Sequence, residues 1–413
     1  MAMIKPLKAF RPTPQLADQV ASLPYDVMNS DEAREMAKDN PHSFLHVVKA
    51  EIDLDPAIDV HDSQVYEKAR DNLHQLIDDG ILVQDEQERL YIYKEVMAGR
   101  SQVGLVACTA VDDYLNGDIK IHEFTRPDKE QDRINYVEYC NANTGLIFLT
   151  YRPKYDVNTL ITAWMQNHPP VYDFTADDGI QHAVWVIDER GVIDQLVSQF
   201  ASIEALYVAD GHHRSASAVK VGQMRRAQHP GYTGEEPFNY FLSVLFPSDQ
   251  LYIMDYNRVV KDLNGLSEGA FLDAVRERFE VESTEAAYKP DARHTFGMYL
   301  GGQWYKLTAK PGTYNADDPI ERLDVSILQQ NLLAPVLGIH DPKTDKRIDF
   351  VGGIRGLQEL ERRVNTDMQV AFSMYPTSID DVMAVADAGK TMPPKSTWFE
   401  PKLRSGLFVH TLS

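Results

Sequence analysis

The sequence predicts a mixed α/β fold, in which helices flank a mixed sheet. Helical and strand-like segments alternate through the middle third of the chain, a pattern typical of α/β sheets rather than of all-α or all-β domains. The predicted helices lie near 157–166 and 193–200, and the predicted strands lie at 182–187, 206–210 and 240–246. Hydrophobic residues make up 43% of the 413-residue chain, which is enough for an ample core.

The outer thirds also mix the two types of element. A capped helix is predicted at 30–38, and an apolar stripe at 65–77 predicts a helix that ends at Gly80. Further strands are predicted at 90–94, 104–111, 145–151 and 251–260, further helices at 128–133, 134–141, 325–334 and after Ser267, and a hairpin turn at Gly301-Gly302. We therefore expect an N-terminal α+β segment (1–150), an α/β core (151–310) and a C-terminal α+β segment (311–413), with soft boundaries.

The composition argues against several classes of protein. Acidic residues outnumber basic ones 62 to 41, so the net charge is −21, and strong nucleic-acid binding is not expected. No apolar run approaches the roughly 20 residues that cross a bilayer. The chain also starts without the apolar core of a signal peptide, so we expect a cytoplasmic location.

Cys108 and Cys140 are predicted to be buried thiols. The sequence leaves the oligomeric state open.

The most informative segment is Asp210-Gly211-His212-His213-Arg214, between a predicted strand and a predicted helix. The first turn of a helix offers unpaired backbone N–H groups and a partial positive charge, which together favour phosphate. Arg214 is suited to grip phosphate oxygens, and Asp210 to hold a metal ion or orient a hydroxyl group. A simple Asp-Gly turn with a helix cap is the alternative, but it leaves the His-His-Arg run unexplained.

Several motifs resemble those of domain-of-unknown-function family 1015 of bacteria and archaea. The matching pieces are 20–27, His122-Glu123-Phe124-Thr125, the Asp-Gly-His-His-Arg run, 346–353 and 395–402. The strand–Asp-Gly-His-X-Arg–helix run is also similar to the signature of the ParB/sulfiredoxin-like superfamily. That resemblance implies a nucleotide-binding core with additional N- and C-terminal α+β segments. Chromosome-partition proteins that bind CTP, sulfiredoxin and kinases that phosphorylate free serine belong to this group.

The resemblance also implies ligands and site residues. The expected ligand is a small phosphorylated molecule, with ATP or ADP as the nucleotide, CTP as its alternative, and Mg²⁺ at Asp210. Phosphate would contact Gly211, His212, His213, Arg214, Ser215 and Lys402, and substrate would contact Tyr25, Asp26 and Thr125. Asp26 is equally a candidate cap for the helix at 30–38.

The resemblance assigns catalysis to Asp210, His212, His213 and a glutamate that serves as general base. Glu123 is chosen because it lies in a polar loop after a strand, and Glu51 is its main rival. The chain lacks GxxxxGK[ST], a GxGxxG at a strand end, and HExxH.

The predicted function is phosphoryl transfer to or from a small hydroxylated metabolite, with serine or phosphoserine suggested by the resemblance. One alternative is a ParB-like nucleotide switch that acts on DNA or on a protein partner. Another is a metal-dependent hydrolase that uses His212 and His213, although adjacent histidines point to different sides of a helix.

Overall fold

The computed structural model describes residues 2–413, which form a mixed α/β structure with two compact units. The first unit contains the chain up to Leu251 together with Pro401–Ser413, and the second unit is Tyr252–Glu400. This division differs from the three segments that the sequence predicted. The reason is that strands from residues 90–247 join one sheet, and the last residues of the chain return to the first unit.

The strands are β1 Ile4–Lys5, β2 Phe10–Pro12, β3 Leu82–Gln84, β4 Leu90–Met97, β5 Arg100–Ala110, β6 Ile119–Lys120, β7 Ala142–Asn143, β8 Ile147–Tyr151, β9 Tyr172–Thr175, β10 Gln181–Ile187, β11 Leu206–Asp210, β12 Tyr240–Pro247, β13 Tyr252–Met254, β14 Tyr256–Val260, β15 Phe279–Thr284, β16 Thr295–Leu300, β17 Gln303–Ala309, β18 Ile348–Gly352, β19 Val370–Ser373, β20 Trp398–Glu400 and β21 His410–Thr411. The helices are α1 Ala17–Val20, α2 Ser30–Ala37, α3 Leu45–Val48, α4 Ser63–Asp78, α5 Val111–Asn116, α6 Pro127–Cys140, α7 Tyr155–Asn167, α8 Arg190–Phe200, α9 His212–Gln228, α10 Glu268–Arg278, α11 Asp324–Leu328, α12 Gly356–Thr366 and α13 Ile379–Asp387.

The first unit is built on a mixed nine-stranded sheet in the order β6-β11-β8-β12-β5-β4-β10-β9, with β1 paired to β5. β11 runs parallel to β6 and antiparallel to β8, whereas β12 runs parallel to β8. The apolar residues of α7 and α8, among them Ile161 and Leu196, pack with the sheet in one large core. β11 is paired on both sides, with β6 and with β8, and this pairing fixes the position of its carboxyl end and therefore of Asp210.

The second unit contains an antiparallel six-stranded sheet in the order β15-β17-β16-β19-β14-β18. Leu360 of α12 is fully buried against this sheet with Val259 and Ala371. The predicted hairpin at Gly301-Gly302 and the predicted Ser267 cap of α10 are both confirmed.

Three local predictions were wrong. The helices expected at 128–133 and 134–141 are one helix, α6, because no residue between them breaks the backbone hydrogen bonding. The strand expected at 251–260 is interrupted at Asp255, whose carbonyl accepts a hydrogen bond from the Gly353 amide, so β13 and β14 belong to different sheets. The helix expected at 325–334 continues beyond α11 only as a wide π-helical turn at Gln329–Leu333.

Two further observations concern the cysteines and the helices. Cys108 and Cys140 are free and buried, as predicted, and burial raises the pKa of the Cys140 thiol to about 12. Among residues 2–413, no helix combines the length and the apolar character that spanning a bilayer requires.

Candidate phosphate site at the start of α9

The predicted strand–glycine–helix junction is present. β11 ends at Asp210 after a register shift between Val208 and Asp210, and such irregularities redirect the side chains that follow them. Gly211 has a φ of +93°, and a Cβ atom there would lie 3.1 Å from Arg214 Nε, so only glycine fits well. No side chain caps α9, and its first turn contains no acidic residue. The helix start is therefore electrostatically suited to an anion.

Asp210 is held by two hydrogen bonds. Its Oδ1 accepts from the Gly211 amide at 2.9 Å, and Lys402 Nζ lies 3.2 Å from its Oδ2. Burial opposes the charged form, but the nearby cations Lys402 and Arg214 outweigh it and hold the pKa of Asp210 well below its usual range. Asp210 is therefore a carboxylate at neutral pH.

Arg214 points away from the solvent, and its side chain is 12% exposed. Its Nη1 donates to the Leu146 carbonyl at 2.5 Å, and its Nη2 lies 3.9 Å from Asp26 Oδ2. Its Nε has no hydrogen-bond partner although it is buried. Buried polar atoms are normally paired, so this N–H group is a donor available to a ligand.

Arg214 lines a narrow cleft with a cavity volume of about 40 Å³. Other residues of the cleft are Tyr25, Arg133, Tyr136, Ser217 and Ser405. The Arg133 guanidinium stacks on Tyr25 at 3.9 Å and on Tyr136 at 4.0 Å from the ring centroids. Burial raises the pKa of Tyr25 to about 12, so its hydroxyl is a neutral donor. Two guanidinium groups in a space for a few water molecules favour an ion the size of phosphate.

Two histidines of different elements meet beside this helix start. His122, in the loop after β6, packs edge to face against His212, with ring centroids 4.4 Å apart. Burial lowers the pKa of His122 to about 4 and that of His212 well below its usual value, so both are neutral at pH 7. His213 instead accepts a hydrogen bond from the Arg126 amide at 3.1 Å through its Nε2.

The remaining predicted residues are placed as follows. Ser215 is fully buried, and its hydroxyl donates to the His212 carbonyl at 3.0 Å, which is a bond within the helix. The Thr125 hydroxyl donates to Glu130 at 2.6 Å. Asp26 does not cap α2, because Asn29 does so with Glu32 in a reciprocal capping box.

The two candidate bases differ in their surroundings. Glu123 is half-buried and directly follows His122 in the loop before α6. Glu51 is 8% exposed and accepts a hydrogen bond from Ser30 Oγ at 2.8 Å. Lys49 Nζ lies 2.9 Å from the same carboxylate oxygen.

A family model for a protein of unknown function, DUF1015, matches residues 4–326. The chain belongs to the DUF1015 family. This confirms the predicted family, although the pieces at 346–353 and 395–402 lie outside the matched range. No curated protein matches the sequence significantly.

Solved structures similar to this DUF1015 protein include a mutant of a free serine kinase in complex with AMP, with 13% identity, a TM-score of 0.39, and coverage of 74% of this chain and 91% of that one. A C-terminally truncated SbnI from Staphylococcus aureus has 13% identity and a TM-score of 0.39, covering 74% and 86% of the two chains. A conserved hypothetical protein from Pyrococcus furiosus has 13% identity and a TM-score of 0.36, covering 74% and 94%. At this level of similarity, we take no functional conclusion from the three.

The sequence analysis did not identify Arg133 and Tyr136 as residues of the candidate phosphate site. Their spacing of three residues on α6 places a cation and an aromatic ring on one helix face, which is a signal in principle. The sequence contains His122 in a family motif but does not indicate its contact with His212, which lies 90 residues away along the chain. Close packing explains the Gly352-Gly353 pair of the 346–353 piece, because a Cβ on Gly352 would meet the Trp398 ring at 2.8 Å.

The metal prediction rests on Asp210 alone. Within residues 2–413, no three His, Cys, Asp or Glu side chains are arranged to bind a metal ion. Mg²⁺ is commonly held by one or two carboxylates together with the phosphates of a bound nucleotide. Asp210 therefore fits Mg²⁺ only as a ligand shared with a phosphorylated substrate.

Proposed function

We propose that this protein is an enzyme that binds a nucleotide or another phosphorylated molecule at the start of α9 and transfers a phosphoryl group. The main support for this proposal is the unpaired, buried Nε atom of Arg214, which lies beside a helix start without a side-chain cap. Both features are costly in a fold without an anion and favourable with one. The neighbouring guanidinium of Arg133 lines the same cleft and is itself paired with Asp132, 2.6 Å from its Nη2.

The proposal assigns a role to each group. Arg214 and the first-turn amides of α9 would hold phosphate oxygens, and Lys402 would add a further cation next to Asp210. Phosphoryl transfer depends mainly on positioning and on charge stabilisation, which these groups supply. Tyr25, which lines the same cleft as Arg214, and Asp26, whose Oδ2 lies 3.9 Å from Arg214 Nη2, would contact the substrate.

ATP or ADP is the proposed nucleotide, with CTP as its alternative. The cavity of about 40 Å³ admits a phosphate group but not a nucleoside, so the base and ribose would lie outside its narrow part. Asp210 would help to hold Mg²⁺, and the ion would supply positive charge that neutralises part of the negative charge of the phosphate.

The proposed acceptor is a small hydroxylated metabolite, and serine or phosphoserine is the specific candidate. Glu123 is the proposed base because it follows His122, whose ring packs on the first residue of α9. Glu51, whose carboxylate contacts Lys49 and Ser30, is the alternative base.

A ligand screen followed by a turnover assay tests the proposal. Melting temperatures would be measured with phosphate, ADP, ATP, CTP, serine and phosphoserine, each with and without Mg²⁺. A ligand at about 100 times its Kd stabilises the native state by about 2.7 kcal/mol, which is easily detected. Phosphorus NMR of active mixtures would then show which group is transferred. If no phosphorylated ligand raises the melting temperature, the proposal is wrong.

A further inference from the structure

The terminal segment of the first unit (Pro401–Ser413) contains a buried arginine two residues after Lys402. Arg404 is only 5% exposed. Its guanidinium is paired with Asp178, and its Nε donates to His182 Nε2 at 3.1 Å. The Cα atoms of residues two apart in a chain are separated by at most about 7 Å, so a group that holds Arg404 also restricts Lys402.

The imidazole of His182 connects Arg404 to the interior of the sheet. A guanidinium group only donates hydrogen bonds, so His182 Nε2 is the acceptor and Nδ1 carries the ring proton. Nδ1 lies 2.8 Å from the Tyr93 hydroxyl, which also accepts from the Arg404 amide at 3.3 Å and donates to Glu95 Oε1 at 3.4 Å. Gln102 Nε2 donates to the other carboxylate oxygen of Glu95 at 2.7 Å. Side chains of β4, β5 and β10 therefore form one hydrogen-bond network that ends at Arg404.

The network lies where water does not replace its hydrogen bonds. Tyr93, Glu95 and His182 are 0% exposed, and Gln102 is 2% exposed. Burial and the charge of Arg404 lower the pKa of His182 to about 3, so the ring is neutral at pH 7 and keeps its acceptor nitrogen. Apolar side chains of similar shape would fill this space without the cost of burying polar groups. What the polar network adds is direction, because it fixes the position of one guanidinium group.

The residues next to Arg404 border the candidate phosphate site. Before it, Lys402 Nζ lies 3.2 Å from the Asp210 carboxylate. After it, Ser405 lines the same cleft as Arg214. The buried network therefore holds the terminal segment at the point where this segment supplies groups to the site.

We propose that His182 and Tyr93 are positioning residues of the anion site, which hold Arg404, and through it Lys402, in the place that a bound phosphate group requires. This inference rests on the proposed function, because Lys402 has this role only if an anion binds at the start of α9. Neither His182 nor Tyr93 lines the cleft itself. Without its acceptor, the Arg404 guanidinium can turn, and Lys402 loses its fixed position beside Asp210.

Titration calorimetry with inorganic phosphate, on variants of the full chain, tests the positioning role. His182→Leu removes the acceptor for Arg404 Nε, whereas the side-chain carbonyl of His182→Gln restores one. We expect His182→Leu to bind phosphate roughly 2- to 10-fold more weakly than the parent protein, at the low end of the range for residues coupled in one network. His182→Gln should recover most of this affinity. Denaturant unfolding would establish that each variant is folded under the conditions of the titration.

A double-mutant cycle shows whether the effect depends on Lys402. In the Lys402→Met background, His182→Leu should cause no further loss of phosphate affinity. Thr109→Val is the control, because it removes another fully buried hydrogen bond of the sheet, 2.8 Å long to Ser243 Oγ, that does not involve Arg404. This control should lower the stability of the protein and leave its phosphate affinity unchanged.

Tyr93→Phe is the second variant and decides the matter if His182→Leu does not fold. It keeps the aromatic ring and removes only the hydroxyl group, and it should also weaken phosphate binding. Unchanged affinity in the folded variants, or a loss that adds to that of Lys402→Met, would overturn the positioning role and leave the anion site in place. If the parent protein binds no phosphate, the proposed function is wrong and the positioning role falls with it.

Discussion

The ammonium group of Lys402 lies 3.2 Å from the carboxylate of Asp210, although 192 residues separate them along the chain. The contact ties the last residues of the chain to the end of β11. It places a second cation beside the start of α9 and keeps Asp210 ionised. The site therefore depends on two distant parts of the sequence.

Replacing Arg214 should weaken phosphate binding. Arg214→Met removes charge-assisted hydrogen bonds worth about 1.5–3 kcal/mol each, so affinity should fall by roughly 10- to 150-fold for each bond lost. Calorimetry with the best ligand of the screen would measure this. Lys220→Met, which removes an exposed charge further along α9, is the control and should leave affinity nearly unchanged. Equal affinity in the Arg214 variant would place the anion elsewhere.

Replacing Lys402 should raise the pKa of Asp210. The pKa of this carboxyl is lowered in the native state, so its contribution to stability is present above the ordinary value of 3.8 and is lost as the pH falls further. Lys402→Met should therefore be less stable than the parent at neutral pH, and the difference should shrink in acid. Carboxylate NMR titrations and unfolding curves at several pH values would measure both effects.

Lys390→Met is a matched control for that experiment. It breaks another lysine–aspartate pair, in which Nζ lies 2.7 Å from Asp318, and should leave the titration of Asp210 unchanged. If Asp210 titrates alike in the parent protein and in Lys402→Met, the ion pair does not control its charge.

Glu123→Gln should lower turnover by roughly 100- to 10,000-fold, because a general base contributes a factor of this size. Glu51→Gln should retain turnover within a few-fold, since that carboxylate is bound to Lys49 and Ser30. Initial rates with the substrate pair identified by phosphorus NMR would decide. The opposite ranking would assign the base to Glu51.

Gly222→Ala should destabilise the first unit. A Cβ on Gly222 would lie 2.7 Å from the Phe238 carbonyl oxygen, so α9 would have to shift. Overpacking costs about 1–3 kcal/mol, and alanine returns about 1 kcal/mol through helix propensity, so a net loss of up to about 2 kcal/mol is expected. Gly269→Ala in α10 meets no atom within 4 Å and should be neutral or stabilising. Denaturant unfolding would compare the two, and equal stabilities would contradict the close packing of α9.

Duplex DNA should not be retained at physiological salt. The net charge of −21 opposes the approach of a polyanion, and a phosphate-sized cleft offers it only a local attraction. A gel-shift series at increasing salt would measure this. Tight, salt-sensitive retention would favour the alternative of a nucleotide-dependent switch on DNA.

The sequence by itself determined the local features of the site. The apolar run before Asp210, the glycine after it and the Ala- and Ser-rich segment that follows predicted β11, the turn and α9, and all three begin where expected. The cap of α10 and the hairpin at Gly301-Gly302 were predicted in the same way. These features depend on dihedral preferences and side-chain periodicity within a few residues, which a sequence displays directly.

Only the tertiary structure decided which distant residues share the site. Lys402, Tyr25 and Arg133 reach Asp210 and Arg214 because the order of strands in the sheet and the packing of α6 bring their elements together. The pairing of His122 with His212 has the same origin. Sheet order and helix packing minimise the free energy of the whole chain, so no local pattern encodes these contacts.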